Sequence, residues 1–157
     1  MKSSERLERD MIALRLVHLI ETHSDELASG LVQKLQTSPH TQDLQKVPVS
    51  EVRERAFEIY RHLSEWLLHS KEDEIERLYA AVGARRATQD VALADVCWAI
   101  MLTKENLWDF VEDQGFLKSP HELMGELELL RLLDHFFDRA LCYVVEGYEQ
   151  MHALKVA

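Results

Sequence analysis

Residues 119–154 read SPHELMGELELLRLLDHFFDRALCYVVEGYEQMHAL. The run opens on a helix-start signal: Ser119 caps, Pro120 takes the first helical position and Glu122 reaches back three residues later. Apolar residues then recur with helical period as far as Leu154. The pattern predicts one helix of about 34 residues, roughly 50 Å long at 1.5 Å per residue.

Wrapped on such a helix, Leu123, Leu127, Leu130, Phe137, Leu141, Val144 and Tyr148 form one apolar stripe. Leu129, Leu132, Phe136 and Tyr143 form a second stripe on a different arc. Together they cover roughly 220° of circumference, about twice what a helix packed on one side requires. Either the helix is enclosed by its own domain, or one stripe packs inside and the other meets a second subunit. A domain of this size is about 30–35 Å across, so one end projects. That favours a symmetric homodimer. Its predicted interface is Leu129, Leu132, Phe136 and Tyr143, because the other stripe is longer and better suited to the core.

The preceding chain has the same period. Leu7, Met11, Leu14, Val17 and His18 fall on one face of a helix starting near Ser4. After the polar stretch ETHSD (21–25), a second segment carries Leu27, Leu31, Val32 and Leu35 to about Thr37, with Ser24 or Asp25 as a candidate cap, so either one bent helix or two short ones are expected. SPHTQDLQKVPV (38–49) is the one real loop. A helix over about 50–70 buries Val52, Ala56, Ile59, Tyr60, Leu63 and Leu67. Ser70 with Asp73 resembles an acidic capping box, and the acids that follow suit a helix N-terminus as Arg85 and Arg86 suit the other end. The helix over 93–113 buries Val96, Cys97, Ile100, Leu107, Trp108 and Val111, with Gly115 as its stop. No run alternates as a strand does. The expected fold is all-α: a globin-like or multi-helix bundle of five to six helices with a long C-terminal helix, forming one domain over 1–157.

Composition narrows function mainly by exclusion. The chain has 18 Lys plus Arg against 28 Asp plus Glu, a net charge of −10. A nucleic-acid surface needs a basic footprint, and anionic membranes disfavour this sign. No apolar run has the length of a membrane span, and the charged start MKSSERLERD lacks a signal-peptide core. Cys97 and Cys142, each in a helical stretch, read as buried free thiols of a reducing compartment. A cytoplasmic protein is expected.

No sequence motif for catalysis is present: no GxSxG, CxxC, HExxH or glycine-rich phosphate loop, and the five glycines stand apart at 30, 83, 115, 125 and 147. The eight histidines offer no paired ligand set. Glu149 and His152 have the spacing of one half of a di-iron motif, without its second half. His62 and His69 share a face but not a ligand sphere, and His135 reads as a surface group. No catalytic residue, metal site or cofactor is predicted. A haem would need a histidine facing an apolar cavity, and His18 comes closest, though a core role fits it better. Trp66, Trp98 and Trp108 are spaced as core residues, and an aromatic pocket between helices fits the same spacing.

One stretch carries more information. ARRATQDVALADVCWAIMLTKENLWDFV (84–111) is an Arg-rich helix end, a short turn, a small capped restart and an apolar helix. It resembles the N-terminal domain of RsbRD-type RsbT co-antagonists, found in bacterial stressosome proteins and ahead of some histidine kinases. SEVRERAFEIYRHLSEWL (50–67) and HFFDRALCYVVEGYEQ (135–150) fit the same pattern, giving coverage from about Glu26 to Gln150. The family usually has glycine in the turn where this chain has Asp90. The resemblance implies a non-enzymatic, globin-like sensory or scaffold domain, normally joined to an output domain, with no catalytic residue to carry over. It also implies a signalling partner, and a signal passed through helix packing at a dimer. The alternative reading is a globin-like sensor that binds a small molecule, haem being the most concrete version.

Overall fold

The computed structural model describes residues 2–114 and 120–157, the side chain of His121 excepted. Its order is α1 (Lys2–Thr22), α2 (Ser24–Thr37), a 3-10 turn (Gln42–Lys46), α3 (Val49–Arg61), a π turn (Glu65–His69), α4 (Glu72–Thr88), α5 (Leu93–Asp113) and α6 (Pro120–Val156). The fold is all-helical, and α6 is the long C-terminal helix expected, 37 residues in length. Ser119 and Gly115, the expected cap and stop on either side of the α5–α6 connection, lie outside the described residues.

α6 is the spine. α4 lies along it, α1 and α5 pack against it, and α2 bridges α3 to α5. The α4–α6 crossing is unusually close because each helix offers a glycine. A methyl group built on Gly83 would stand 1.9 Å from the Val144 carbonyl oxygen, and one on Gly147 would stand 2.0 Å from that of Ala80. Where α1 meets α6, a methyl on Gly125 would meet the Ile12 side chain at 2.2 Å. The core runs from Leu16, Val17 and Ile20 of α1 through Tyr60 and Leu63 to Leu129, Leu133, Phe136 and Val144 of α6.

The first helix is rotated from its expected face. Ala13, Leu16, Val17 and Ile20 are buried, whereas Leu7, Met11 and Leu14 are exposed. His18 is exposed too, its Nδ1 3.2 Å from Glu21 Oε1. The apolar row 7–11–14 lies N-terminal of most of the residues α1 buries, so its spacing describes a helix face without showing what covers it. α1 and α2 are separate helices, as one of the two expectations had it. The break falls at His23, whose backbone leaves the helical region and whose Nδ1 lies 2.8 Å from the Leu19 carbonyl. Neither Ser24 nor Asp25 is the cap: Ser24 is already helical and buried.

The predicted helix over 50–70 is also divided. α3 ends at Arg61, and a π turn over Glu65–His69 follows. Ser70 does not cap α4. Its hydroxyl donates backward to the Glu65 carbonyl at 2.9 Å, and Lys71 holds the cap position without a side-chain bond. Across the 38–49 loop two aspartates exchange roles. Asp43 accepts from the Ala92 N–H at 2.6 Å, and Asp95 accepts from the Asp43 N–H at 2.9 Å, so the 3-10 turn and the start of α5 cap one another. Cys142 is exposed, contrary to its expected burial, and Cys97 is half-buried with its thiol pushed up by desolvation.

The α4–α5 turn shows why an aspartate serves where glycine is usual. Asp90 has φ 57°, in the left-handed region that asparagine, aspartate and glycine tolerate best. Its carboxylate accepts from Lys155 near the end of α6, and its carbonyl accepts from Lys46 Nζ at 2.8 Å. An alanine in that region costs roughly 1–2 kcal/mol. Asp90→Ala is therefore expected to lower the urea midpoint clearly while Asp90→Gly lowers it less or raises it. Equal losses in both variants would assign the effect to the Lys155 contact and not to the backbone.

Candidate functional site

The site begins with the residues that line a partly open cavity of about 80 Å³ between α2, the 3-10 turn, α3, α4, α5 and α6. Leu31 and Leu35 come from α2, Val52, Ala56 and Ile59 from α3, Val82 from α4, Val96, Ala99 and Ile100 from α5, and Val144 from α6. The periodicity of each helix turns an aliphatic residue inward at this level. Three polar side chains join them from α3 and α4: Arg55, Tyr79 and Arg86.

Arg86 is almost fully buried and its charge is matched. Nη1 donates to Glu51 Oε1 at 2.9 Å and to Gln89 Oε1 at 2.8 Å. Glu51, from the first turn of α3, is the centre of this network. It also accepts from Arg85 Nη2 at 3.1 Å and Gln89 Nε2 at 3.1 Å. Arg85, with Arg86 and Gln89, holds the Glu51 carboxyl down to about 2, well below its usual range. Burial pushes Arg86 the other way, towards losing its proton, while Glu51 opposes that; a guanidinium stays charged regardless. The arginines were expected to serve the dipole of their own helix, and their pairing with α3 was not legible.

Tyr79 is 4% exposed and its hydroxyl has no hydrogen-bond partner. The ring is wedged among Trp66 and Phe136, with centroids 5.7 and 5.6 Å away. Burial pushes the phenol far up, so it stays protonated and can donate. The Arg55 charge acts on it in the opposite direction, and Arg55 lines the same cavity. A second buried polar cluster has its bonds satisfied. Tyr60 Oη donates to the Thr103 carbonyl at 3.0 Å, and Asn106 Nδ2 donates to the Leu27 carbonyl at 3.1 Å and to Tyr60 Oη at 3.2 Å. This cluster ties α2, α3 and α5 together, whereas Tyr79 is left with an unused donor.

The residues predicted to meet a second copy are divided between core and half-buried positions. Leu129 and Phe136 are 0% and 2% exposed within the chain's own core. Phe136 stacks on Trp66 at 5.8 Å and meets Phe137 at 5.1 Å. In this packing neither is available to a partner. Leu132 and Tyr143 are half-buried, and the Tyr143 hydroxyl donates to Glu72 of α4. The exposed large apolar side chains of α6 are instead Leu123, Met124 and Leu127 near its start and Leu154 and Val156 at its end, so the N-terminal end of the other stripe lies outside the core. The stripes are not continuous surfaces because different helices cover different lengths of α6.

Among the described residues no three His, Cys, Asp or Glu side chains gather where they could hold a metal. No histidine lines the cavity. Trp98 stacks on His40 at a centroid distance of 3.9 Å, and both stand away from the lining. Among the described residues no helix is long and apolar enough to cross a membrane.

The described residues thus form an all-helical fold built on one long helix, with a cavity and a polar network between helices. Comparison with known families makes this specific. The family model described as the RsbT co-antagonist protein rsbRD N-terminal domain matches residues 25–154, and the chain belongs to that family. The match runs from Asp25 near the start of α2 to Leu154 near the end of α6, and α1 precedes it. No curated protein and no solved structure matches the chain.

Proposed function

We propose that the protein is a non-enzymatic signalling module of the stressosome type, in which α6 carries a change in helix packing to a partner or an attached output segment. Family membership supports the signalling role. The observation that carries the mechanism is that α6 touches α1, α4 and α5 at once, so movement of any of them against the close α4–α6 crossing moves the helix as a rod.

We place the dimer on a different surface from the one expected from the sequence. Leu7, Met11 and Leu14 of α1 and Leu123, Met124 and Leu127 of α6 are all exposed. They lie on two helices that meet at Ile12 and Gly125. Large apolar side chains gathered this way mark association surfaces. Leu127→Asp is expected to convert a dimer to monomer in sedimentation analysis with unchanged helical circular dichroism. Leu132→Asp tests the earlier stripe. A wild-type protein that is monomeric at tens of micromolar overturns the dimer. Dissociation by Leu132→Asp alone returns the interface to the other face.

A further inference from the structure

The cavity holds an imbalance that the fold does not explain. Its walls are aliphatic apart from the side chains of Arg55, Tyr79, Arg86 and Thr103. Thr103 donates to the Ala99 carbonyl at 2.7 Å, and Arg86 is neutralised by Glu51. Two groups remain. The Tyr79 hydroxyl is buried without a partner among the described residues, which is unfavourable in a settled core. The half-buried Arg55 makes no hydrogen bond or ion pair among the described residues, whereas Arg53 on the same helix pairs with Asp25 and Arg85 of α4 pairs with Glu51. A donor without a partner and an unpaired cation, both on residues that line one aliphatic cavity, form the complement of an anion with an apolar tail.

We propose that this cavity binds a short-chain aliphatic carboxylate, its tail among Leu31, Val52, Val96 and Ile100 and its carboxylate between the Arg55 guanidinium and the Tyr79 hydroxyl. The apolar recess of about 80 Å³ is small, which suits a short tail, and butyrate serves as the probe. Charge sets the head group. A carboxylate accepts from a guanidinium and a phenol together, whereas an alcohol gains little from the cation and an amine is repelled by it. Binding would draw α3, which supplies Arg55, towards α4, which supplies Tyr79, and α4 is the helix seated on α6. The ligand thereby supplies a stimulus for the packing change proposed above. The binding claim itself does not depend on that reading or on the oligomeric state.

The test is an NMR titration of the full chain with sodium butyrate, 1-butanol and butylamine. Butyrate is expected to give saturable shifts at Val96, Ile100 and Thr103, with butanol at least tenfold weaker and butylamine silent. Arg55→Gln is expected to weaken butyrate at least tenfold and to leave butanol unchanged. Tyr79→Phe should weaken butyrate several-fold while keeping or raising the thermal midpoint of the unliganded protein, because it removes a hydroxyl without a partner. A merely structural tyrosine would show the reverse. Equal binding of butyrate and butanol, unchanged butyrate affinity in Arg55→Gln, or no saturable shift with butyrate each overturns the proposal. Each is read as binding, so failure here leaves the sedimentation result for the dimer standing.

Discussion

Gly147→Leu is expected to prevent cooperative folding, and Gly147→Ala to destabilise the protein by about 2 kcal/mol. The first atom of any side chain at this position would lie 2.0 Å from the Ala80 carbonyl oxygen and 2.7 Å from Ala80 Cα. Those are backbone atoms of α4, which no rotamer change can move. To admit even a methyl group the two helices must separate, and packed interiors transmit that separation instead of absorbing it. The gain in helix propensity from replacing glycine, about 1 kcal/mol, offsets only part of the loss. Gly83→Ala is expected to behave alike, since its methyl would strike the Val144 carbonyl. Gly30→Ala is the control. Nothing lies within 4 Å of the methyl it would add, and it sits inside α2, so it should stabilise by up to about 1 kcal/mol. Urea unfolding followed by circular dichroism checks all three. A Gly147→Ala protein as stable as the wild type would mean that the α4–α6 crossing is looser than described.

Glu51→Gln is expected to cost about 3 kcal/mol at pH 7, because it leaves the Arg86 guanidinium buried with only Gln89 as a good acceptor. The pH dependence provides a second check. The Glu51 carboxyl sits at about 2 in the folded protein against 4.5 unperturbed. As pH falls the unfolded chain therefore takes up this proton first. The stabilisation is complete above the unfolded value and is lost as pH falls towards the folded one. The shift corresponds to roughly 2–3 kcal/mol after allowance for the exposed part of the side chain. Wild type and Glu51→Gln should thus differ strongly in urea midpoint at pH 7 and converge towards pH 2. Glu126 works in the opposite sense, since burial, with Glu112 and Glu122, pushes its carboxyl up and its contribution fades as pH rises. Both proteins keep Glu126, so the difference between them isolates Glu51. A constant difference from pH 7 to pH 2 would show that Glu51 acts by packing and not by charge.

These two contacts have different standing in the sequence. The two glycines are visible as isolated residues in helical runs, but no period says that they face each other, since they are 64 positions apart, at 83 and 147. Glu51 and Arg86 are each ordinary helix-end charges. Their partnership exists only because α3 and α4 pack with those ends adjacent. Asn106 and Thr103 were missed for a similar reason, as polar residues within an apolar helix whose partners, Tyr60 and Leu27, come from elsewhere in the chain.

The sequence by itself determined the helical class, the limits of α5, the long last helix and the family resemblance. All of these rest on local period, capping chemistry and residue order, which act over a few positions. The break at His23 falls in the polar stretch 21–25 that the sequence marks, whereas tertiary structure alone decided the break at His62 and which face of each helix is covered. Leu7, Met11 and Leu14 have the spacing of core residues and are exposed, while Phe136 looked available and is enclosed by Trp66, Tyr79 and Phe137. Period fixes the direction of a side chain around its own helix axis. Burial depends on whether another helix reaches that length of the axis, and that is settled by contacts distant in sequence.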